Sequence, residues 1–273
     1  MTNQKVVLVT GASSGIGEAT AERLAQAGYK VYGTSRRGTQ AGKQSFDMIA
    51  LDVTSDESVV AAVREVMRLE GRIDLLVNNA GFSVAPGGAE ESSIEQTQSI
   101  FDTNFFGIVR MTRAVVPHMR SAGSGRIINI GSVLGFVPMP YGALYAATKH
   151  AIEGYSESLD HELRIWGIRV LVIEPAYIKT PFNAHFLEPD AKLDAYREVR
   201  AAVKIRVNEV MEAAEEAGTV AETVLKAASA AHPKLRYTPA GLASQLRLLR
   251  RFAPADLFDA AIRKNLRLDA PTA

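Results

Sequence analysis

Short apolar runs rich in Val, Ile and Leu alternate, over the first two thirds of the chain, with longer stretches whose apolar positions recur every three or four residues. The first pattern predicts buried strands and the second predicts amphipathic helices. Strands are expected at 6–9, 30–34, 48–51, 73–77, 125–130 and 168–173. The first helix runs through Ala27 with Gly28 as its stop. The second starts at Thr54, read as the N-cap of a box closed by Glu57, and reaches about Leu69. A long third helix, capped by Ser92 or Ser93 and bent late by Pro117, reaches about Arg120. A fourth carries Tyr145 and runs to near Trp166, where Gly167 ends it. Regular alternation of strand and helix predicts an α/β fold with a parallel sheet and right-handed crossovers. Beyond the sixth strand the texture changes to an aromatic loop, helices at 191–217, 220–231, 242–251 and 255–266, and a last strand at 235–238. No linker or repeat intervenes, so one domain is expected over 1–273. It includes a substrate-loop region at about 177–217 and a helical C-terminal extension at about 241–273.

The first strand runs into Thr10-Gly11-Ala12-Ser13-Ser14-Gly15-Ile16-Gly17 and then directly into a helix. Backbone N–H groups and the dipole at a helix N-terminus favour phosphate, and glycine lets the backbone approach a pyrophosphate. Gly11, Ser13, Ser14, Gly15, Ile16 and Gly17 are therefore candidate dinucleotide-binding residues, although the spacing Gly-x-x-x-Gly-x-Gly is not the commoner Gly-x-Gly-x-x-Gly. The second strand ends in Ser35-Arg36-Arg37, where the acid that reads the NAD ribose is missing. A guanidinium attracts a 2′-phosphate that a carboxylate would repel, so Arg36 and Arg37 predict NADP(H) in preference to NAD(H). Asp52 and Val53, and Asn78-Asn79-Ala80-Gly81, follow the third and fourth strands at the edge where parallel sheets bind ligands.

Tyr145 and Lys149 stand one helical turn apart. A cation beside a phenol favours the phenolate, so Lys149 is expected to lower the Tyr145 pKa and make it a proton donor and acceptor near neutral pH. Leu134, Val137, Met139, Tyr141, Tyr177, Phe182 and Phe186 lie in the loops around this pair. Their apolar character predicts a hydrophobic ketone or alcohol as the substrate.

Composition narrows this little. The 273 residues are 47% apolar and 22% charged with a net charge of +1, which points to a globular protein without a global field for nucleic acid. With no cysteine, disulfides, thiolate catalysis and Cys-based zinc sites are excluded, and no metal site is expected. No apolar run is long enough to span a bilayer, and the N-terminus lacks a signal-peptide pattern, which fits a cytoplasmic protein. The stretch Leu246-Arg247-Leu248-Leu249-Arg250-Arg251-Phe252 mixes basic and apolar residues and could lie on a membrane surface. The expectation preferred for it is an apolar face on the domain with its arginines in water.

These motifs, in this order, resemble the classical short-chain dehydrogenase/reductase family over roughly residues 5–185, and the hydroxysteroid and retinol dehydrogenase branch in general look. The matching residues are Thr10-Gly11-x-x-x-Gly15-x-Gly17, Asp52, Asn78-Asn79-Ala80-Gly81, Asn104, Ser132 and Tyr145-x-x-x-Lys149. The resemblance implies a Rossmann-like three-layer sandwich, with a seven-stranded parallel sheet and helices on both faces. It implies hydride transfer between NADP(H) and a carbonyl or secondary alcohol, with Tyr145 as general acid, Lys149 on its pKa and on the nicotinamide ribose, and Ser132 on the substrate oxygen. Asn104 would hold a water that resupplies protons. Asp52 would reach adenine, Asn78 would border the cofactor cleft, and Ile178 and Thr180, after Pro175, would contact the carboxamide. Pro175-Ala176 replaces the usual Pro-Gly, which puts the shape of that turn in question. The helices of Asn104 and Tyr145 would form a subunit interface, implying a homodimer or homotetramer. A 3-oxoacyl-thioester reductase and a non-catalytic NADP-sensing protein are the alternatives.

Overall fold

The computed structural model describes residues 4–38, 44–181 and 186–268. Seven strands form one parallel sheet in the order β3-β2-β1-β4-β5-β6-β9. They are β1 (Val6–Val9), β2 (Lys30–Ser35), β3 (Asp47–Ala50), β4 (Leu75–Asn78), β5 (Gly125–Ile130), β6 (Ile168–Ile173) and β9 (Arg236–Tyr237). Two further short strands, β7 (Ile178–Lys179) and β8 (Glu215–Glu216), pair separately and were not expected from the sequence. The seven-stranded Rossmann-like fold is as the resemblance implied.

Both faces of the sheet are dry. Val6 and Leu8 of β1 point into one core and Val7 and Val9 into the other, following the two-residue period of a strand. The first core is closed by α2 (Asp56–Glu70), α4 (Gly107–Ser121) and the end of α5 (Ala143–Leu163). The second is closed by α1 (Gly15–Gln26) and α7 (Ala217–Ser229). Burial on both faces explains why the strands read as continuous apolar runs rather than alternating ones. The remaining helices are α3 (Ile94–Phe101), α6 (Arg197–Glu212), α8 (Ala240–Phe252) and α9 (Ala255–Asn265).

Three local expectations are corrected. The N-cap of α2 is Ser55, whose side chain accepts from the Ser58 N–H at 3.2 Å. Thr54 is unavailable because its hydroxyl and its N–H both donate to Asp52 Oδ1. The long helix expected from Ser93 to Arg120 is divided into α3 and α4 by a π turn over Asp102–Phe106. The C-terminal stretch differs only in part, since Arg250 and Arg251 are exposed as expected. Arg247 of α8 points inward to Glu174, while Leu248, Leu249 and Phe252 are exposed.

Helix α5 is locked to β6 by Asp160, which is fully buried. Its carboxylate accepts from Arg169 Nε, Arg164 Nε and the Val170 N–H, each at 2.9 Å. Burial alone would raise its pKa, but the bonds from Arg169, Val170 and Arg164 outweigh it and hold the carboxyl below its usual value. A lowered folded pKa stabilises above the unfolded value of roughly 4 and loses that contribution as pH falls through the folded one. Asp160→Asn is expected to cost roughly 2–3 kcal/mol at pH 7, less than a fully dry pair because Arg164 is half exposed. In urea titrations this difference should shrink below about pH 4. An equal loss at pH 7 and pH 3 would contradict it.

Candidate active site

The turn after β1 is stapled from its neighbour. Asn79 Nδ2 donates to the carbonyls of Thr10 and Gly11 at 2.9 and 3.0 Å. Thr10 Oγ1 in return accepts from the N–H groups of Asn79 and Ala80. Gly11 and Gly15 have φ of +65° and +61°, left-handed values that glycine adopts without strain. At Gly17 the constraint is contact instead, because a Cβ there would overlap the Gly11 carbonyl and Asn79 Nδ2. Ser14, the N-cap of α1, makes no side-chain capping bond, so the helix N-terminus faces the turn without an internal acceptor there. Thr180 packs on the same turn, 3.1 Å from where a Gly15 Cβ would stand. A cradle shaped by missing side chains and lined with N–H groups fits a dinucleotide pyrophosphate.

Arg36 and Arg37 are exposed at the carboxyl end of β2. Asp52 lies beside them, its pKa held down first by the bonds from Thr54, with Arg36 and Arg110 adding to it. Val53 is buried against Gly107 of α4. These positions suit the adenosine end of a dinucleotide.

Asn104 sits in the π turn and is buried. Its Oδ1 accepts from the Phe82 N–H and its Nδ2 donates to the Phe82 carbonyl, both at 2.9 Å. Nδ2 also reaches Thr148 Oγ1 at 3.3 Å, and that hydroxyl donates to the Tyr145 carbonyl at 2.8 Å. One side chain thus ties the loop after Gly81 to the helix that carries Tyr145. Both N–H donors of the amide are engaged in this clamp, and Oδ1 accepts from Phe82. Widened π turns leave backbone carbonyls free and recur at functional sites.

Ser132 is buried at the carboxyl end of β5, where its Oγ accepts from the Leu134 N–H at 3.1 Å and lies 3.4 Å from the Pro175 carbonyl. Tyr145 and Lys149 share one face of α5, with Lys149 Nζ 5.4 Å from the phenol ring centroid. Nζ donates to the Ile130 carbonyl at 2.8 Å. Burial brings the Lys149 pKa down to about 8 against the opposing charge of Glu153, and burial pushes the Tyr145 phenol up. The expected lowering of the Tyr145 pKa is therefore not seen. The ammonium lies over the ring face and bonds to a carbonyl, and desolvation dominates.

Asn78 is not at the cleft. It is buried, and its Nδ2 donates to Asn129 Oδ1 at 2.8 Å, while Asn129 Nδ2 donates to Ser156 Oγ at 2.9 Å. This chain crosses from β4 through β5 to α5. Asn129, a lone amide within Ile127-Ile128-Asn129-Ile130, was the available signal for it. Pro175 and Ile178 are buried. Ala176 adopts no left-handed conformation, since positive φ among the described non-glycine residues belongs to Tyr141 and Arg267.

On the substrate side, Tyr141 and Tyr145 line a small crevice with Val84, Leu144 and Pro189. Of the other residues expected there, Leu134, Met139, Tyr177 and Phe186 are partly exposed, whereas Val137 is buried. Phe182 lies outside the described residues. The segment after Phe186 folds back over the mouth. Leu187 bridges to Val84, and Arg200 of α6 pairs with the fully buried Glu91. Neither Glu91 nor Arg200 was singled out from the sequence. Among the described residues no cluster suits a metal ion, and no helix is long and apolar enough to cross a membrane.

The model of the short chain dehydrogenase family matches residues 5–191. The chain belongs to the short-chain dehydrogenase/reductase family. It is an oxidoreductase of that family, and its similarity extends to the retinol dehydrogenase-like branch. A 3-ketodihydrosphingosine reductase of Bacteroides thetaiotaomicron is 44% identical over 181 residues, 66% of this chain and 66% of the relative. Retinol dehydrogenase 8 of Bos taurus is 38% identical over 197 residues, covering 67% of this chain and 62% of the relative. The chain thus spans about two thirds of the length of these two relatives. A solved short-chain dehydrogenase of Streptomyces avermitilis superposes with a TM-score of 0.80 at 31% identity, over 100% of both chains.

Proposed function

We propose that this dehydrogenase is NADP(H)-dependent and interconverts a hydrophobic ketone and its secondary alcohol, with Tyr145 as the proton donor and acceptor. The observation that carries the reading is the Phe82–Asn104–Thr148–Tyr145 connection, which holds the loop beside the dinucleotide turn and the helix of Tyr145 in one register. The nicotinamide cofactor supplies or accepts the hydride. The glycine turn and the N-terminus of α1 would hold its pyrophosphate, Asp52 its adenine, and Lys149 its ribose.

Tyr145 enters reduction as a neutral phenol, because burial disfavours its charged form. It gives its proton to the substrate oxygen, and Ser132 donates a hydrogen bond to the same oxygen as negative charge develops. Lys149 stabilises the phenolate that remains. An apolar carbonyl compound is the expected substrate because the residues assigned to the substrate side, Leu134, Met139, Tyr141, Tyr177 and Phe186, are apolar or aromatic. The relatives' names, a ketodihydrosphingosine reductase and a retinol dehydrogenase, both denote a carbonyl or alcohol on an apolar body. Self-association through the outer side of α3 and the π turn, where Ile94 and Phe106 are exposed, is part of the same proposal.

The test is cofactor oxidation over a panel of aliphatic, aryl, steroid and long-chain 3-oxo ketones, with NADPH and NADH compared. NADPH is expected to bind at least roughly tenfold tighter, the worth of one or two charge-assisted phosphate bonds. Arg36→Asp is expected to reverse that order by removing a cation and adding a charge that repels the 2′-phosphate. Equal or tighter binding of NADH by the unmodified protein would refute the cofactor assignment.

A further inference from the structure

Glu174 follows β6 with its side chain fully buried, and one of its oxygens, Oε1, accepts from Arg247 of α8. The next residue, Pro175, is the floor under Ser132. Its carbonyl accepts from the Val133 N–H at 2.9 Å and lies 3.4 Å from Ser132 Oγ. On the other side of Ser132, the tight turn Val133–Gly135 is closed by Phe136, and the Arg247 guanidinium lies 5.2 Å above that ring. A single side chain from far along the sequence therefore grips both segments between which the serine is set. Helix α8 is fixed in place by Ala243, which is fully buried, and by the 2.8 Å hydroxyl contact between Thr238 and Ser244.

Among the described residues no other cation hydrogen-bonds to Glu174. Arg236 Nε stands 3.6 Å from Glu174 Oε1, too far for a hydrogen bond, and already donates to Glu153 at 2.9 Å, while Nη2 donates to Glu157 at 2.7 Å. Among the described residues Glu174 Oε2 has no hydrogen-bond partner, so the bond from Arg247 to Oε1 is the one that holds the carboxyl group. Glu153 is wedged against the same seat, since a Cβ on Gly135 would come within 2.8 Å of its Cγ. Little slack is left around Ser132.

We propose that Arg247 is a positioning residue for Ser132, holding the Glu174–Pro175 strand end and the Phe136 turn together so that the serine hydroxyl meets the substrate oxygen. This rests on the reading of Ser132 given above. It gives the C-terminal helix a part in the chemistry, although α8 lies beyond the residues that the family model matches. A misplacement of about 1 Å at a reacting group costs on the order of a hundredfold in rate, so a loosened seat reads out in kcat.

Two substitutions test it. Arg247→Lys keeps a cation but loses the planar fork and the stacking. Phe136→Leu removes the stacking and leaves the ion pair. Each is compared with the parent in NADPH affinity by fluorescence titration, in kcat and KM for a ketone the parent turns over, and in melting temperature. The expected result is unchanged NADPH affinity, KM within about twofold and kcat lowered roughly tenfold or more. A lower melting temperature with kcat kept in both variants would mean a structural role only and would overturn the proposal, as would a loss lying in NADPH affinity. If Arg247→Lys does not fold, Phe136→Leu decides, a fall in kcat supporting the role and an unchanged kcat overturning it. A parent that binds NADPH but turns over no ketone would overturn the functional reading and this role with it. Equal turnover by parent and both variants would overturn the role alone.

Discussion

Tyr145→Phe is expected to lower kcat for ketone reduction by roughly 10²- to 10⁴-fold, the usual contribution of a positioned proton donor. NADPH affinity and melting temperature should stay close to those of the parent. The ring remains, and only the hydroxyl is removed. Ser132 can offer the substrate oxygen a hydrogen bond but is no substitute proton source, because an aliphatic hydroxyl is a far weaker acid than a phenol. The pH profile sharpens the test. Burial keeps the Tyr145 phenol protonated well above neutral pH, and it brings the Lys149 pKa down to about 8. Reduction should therefore hold steady through neutrality and decline as pH rises through about 8, where Lys149 loses the charge that stabilises the phenolate. Steady-state NADPH oxidation from pH 6 to 9, with fluorescence titration of cofactor binding, measures both. Turnover by the Phe variant within tenfold of the parent would remove Tyr145 from the proton-transfer step.

Gly17→Ala is the second large effect. The added methyl overlaps the Gly11 carbonyl and Asn79 Nδ2, two rigid partners that already bond to each other. Relief requires breaking that staple and opening the turn that the dinucleotide phosphates would occupy. Overpacking of this kind costs typically about 1–3 kcal/mol of stability. The loss in NADPH affinity is expected to be at least about a hundredfold, since about 2.7 kcal/mol of misfit at the pyrophosphate corresponds to that factor. Isothermal titration and thermal melting of the same preparation separate the two. Wild-type NADPH affinity in the alanine variant would show that the cofactor does not use this turn.

The two variants also mark which features a linear reading reaches. The Gly17 position was legible because a glycine-spaced turn between a strand and a helix is a local pattern. Tyr145 and Lys149 were legible because helical spacing alone puts them on one face. The same is true of the parallel sheet, whose strands announce themselves as apolar runs between amphipathic helices. The N-cap of α2 was missed by one residue because Asp52 captures Thr54, a competition between neighbours that the capping pattern does not contain.

What sequence by itself determined, then, was the order of the layers, the glycine turn after β1 and the face of α5 that carries Tyr145 and Lys149, all set by contacts within a few residues or by periodicity. Tertiary structure alone decided the rest. The π turn at Asn104 depends on Phe82, which only the folded chain brings to it. Arg247 faces inward because the fold brings it to the buried acid Glu174 at the end of β6. The Tyr145 pKa moves opposite to the local expectation because burial is a property of everything packed around a group. Spacing along the chain places Lys149 near the ring, but desolvation by the whole fold sets what the ring does with its proton.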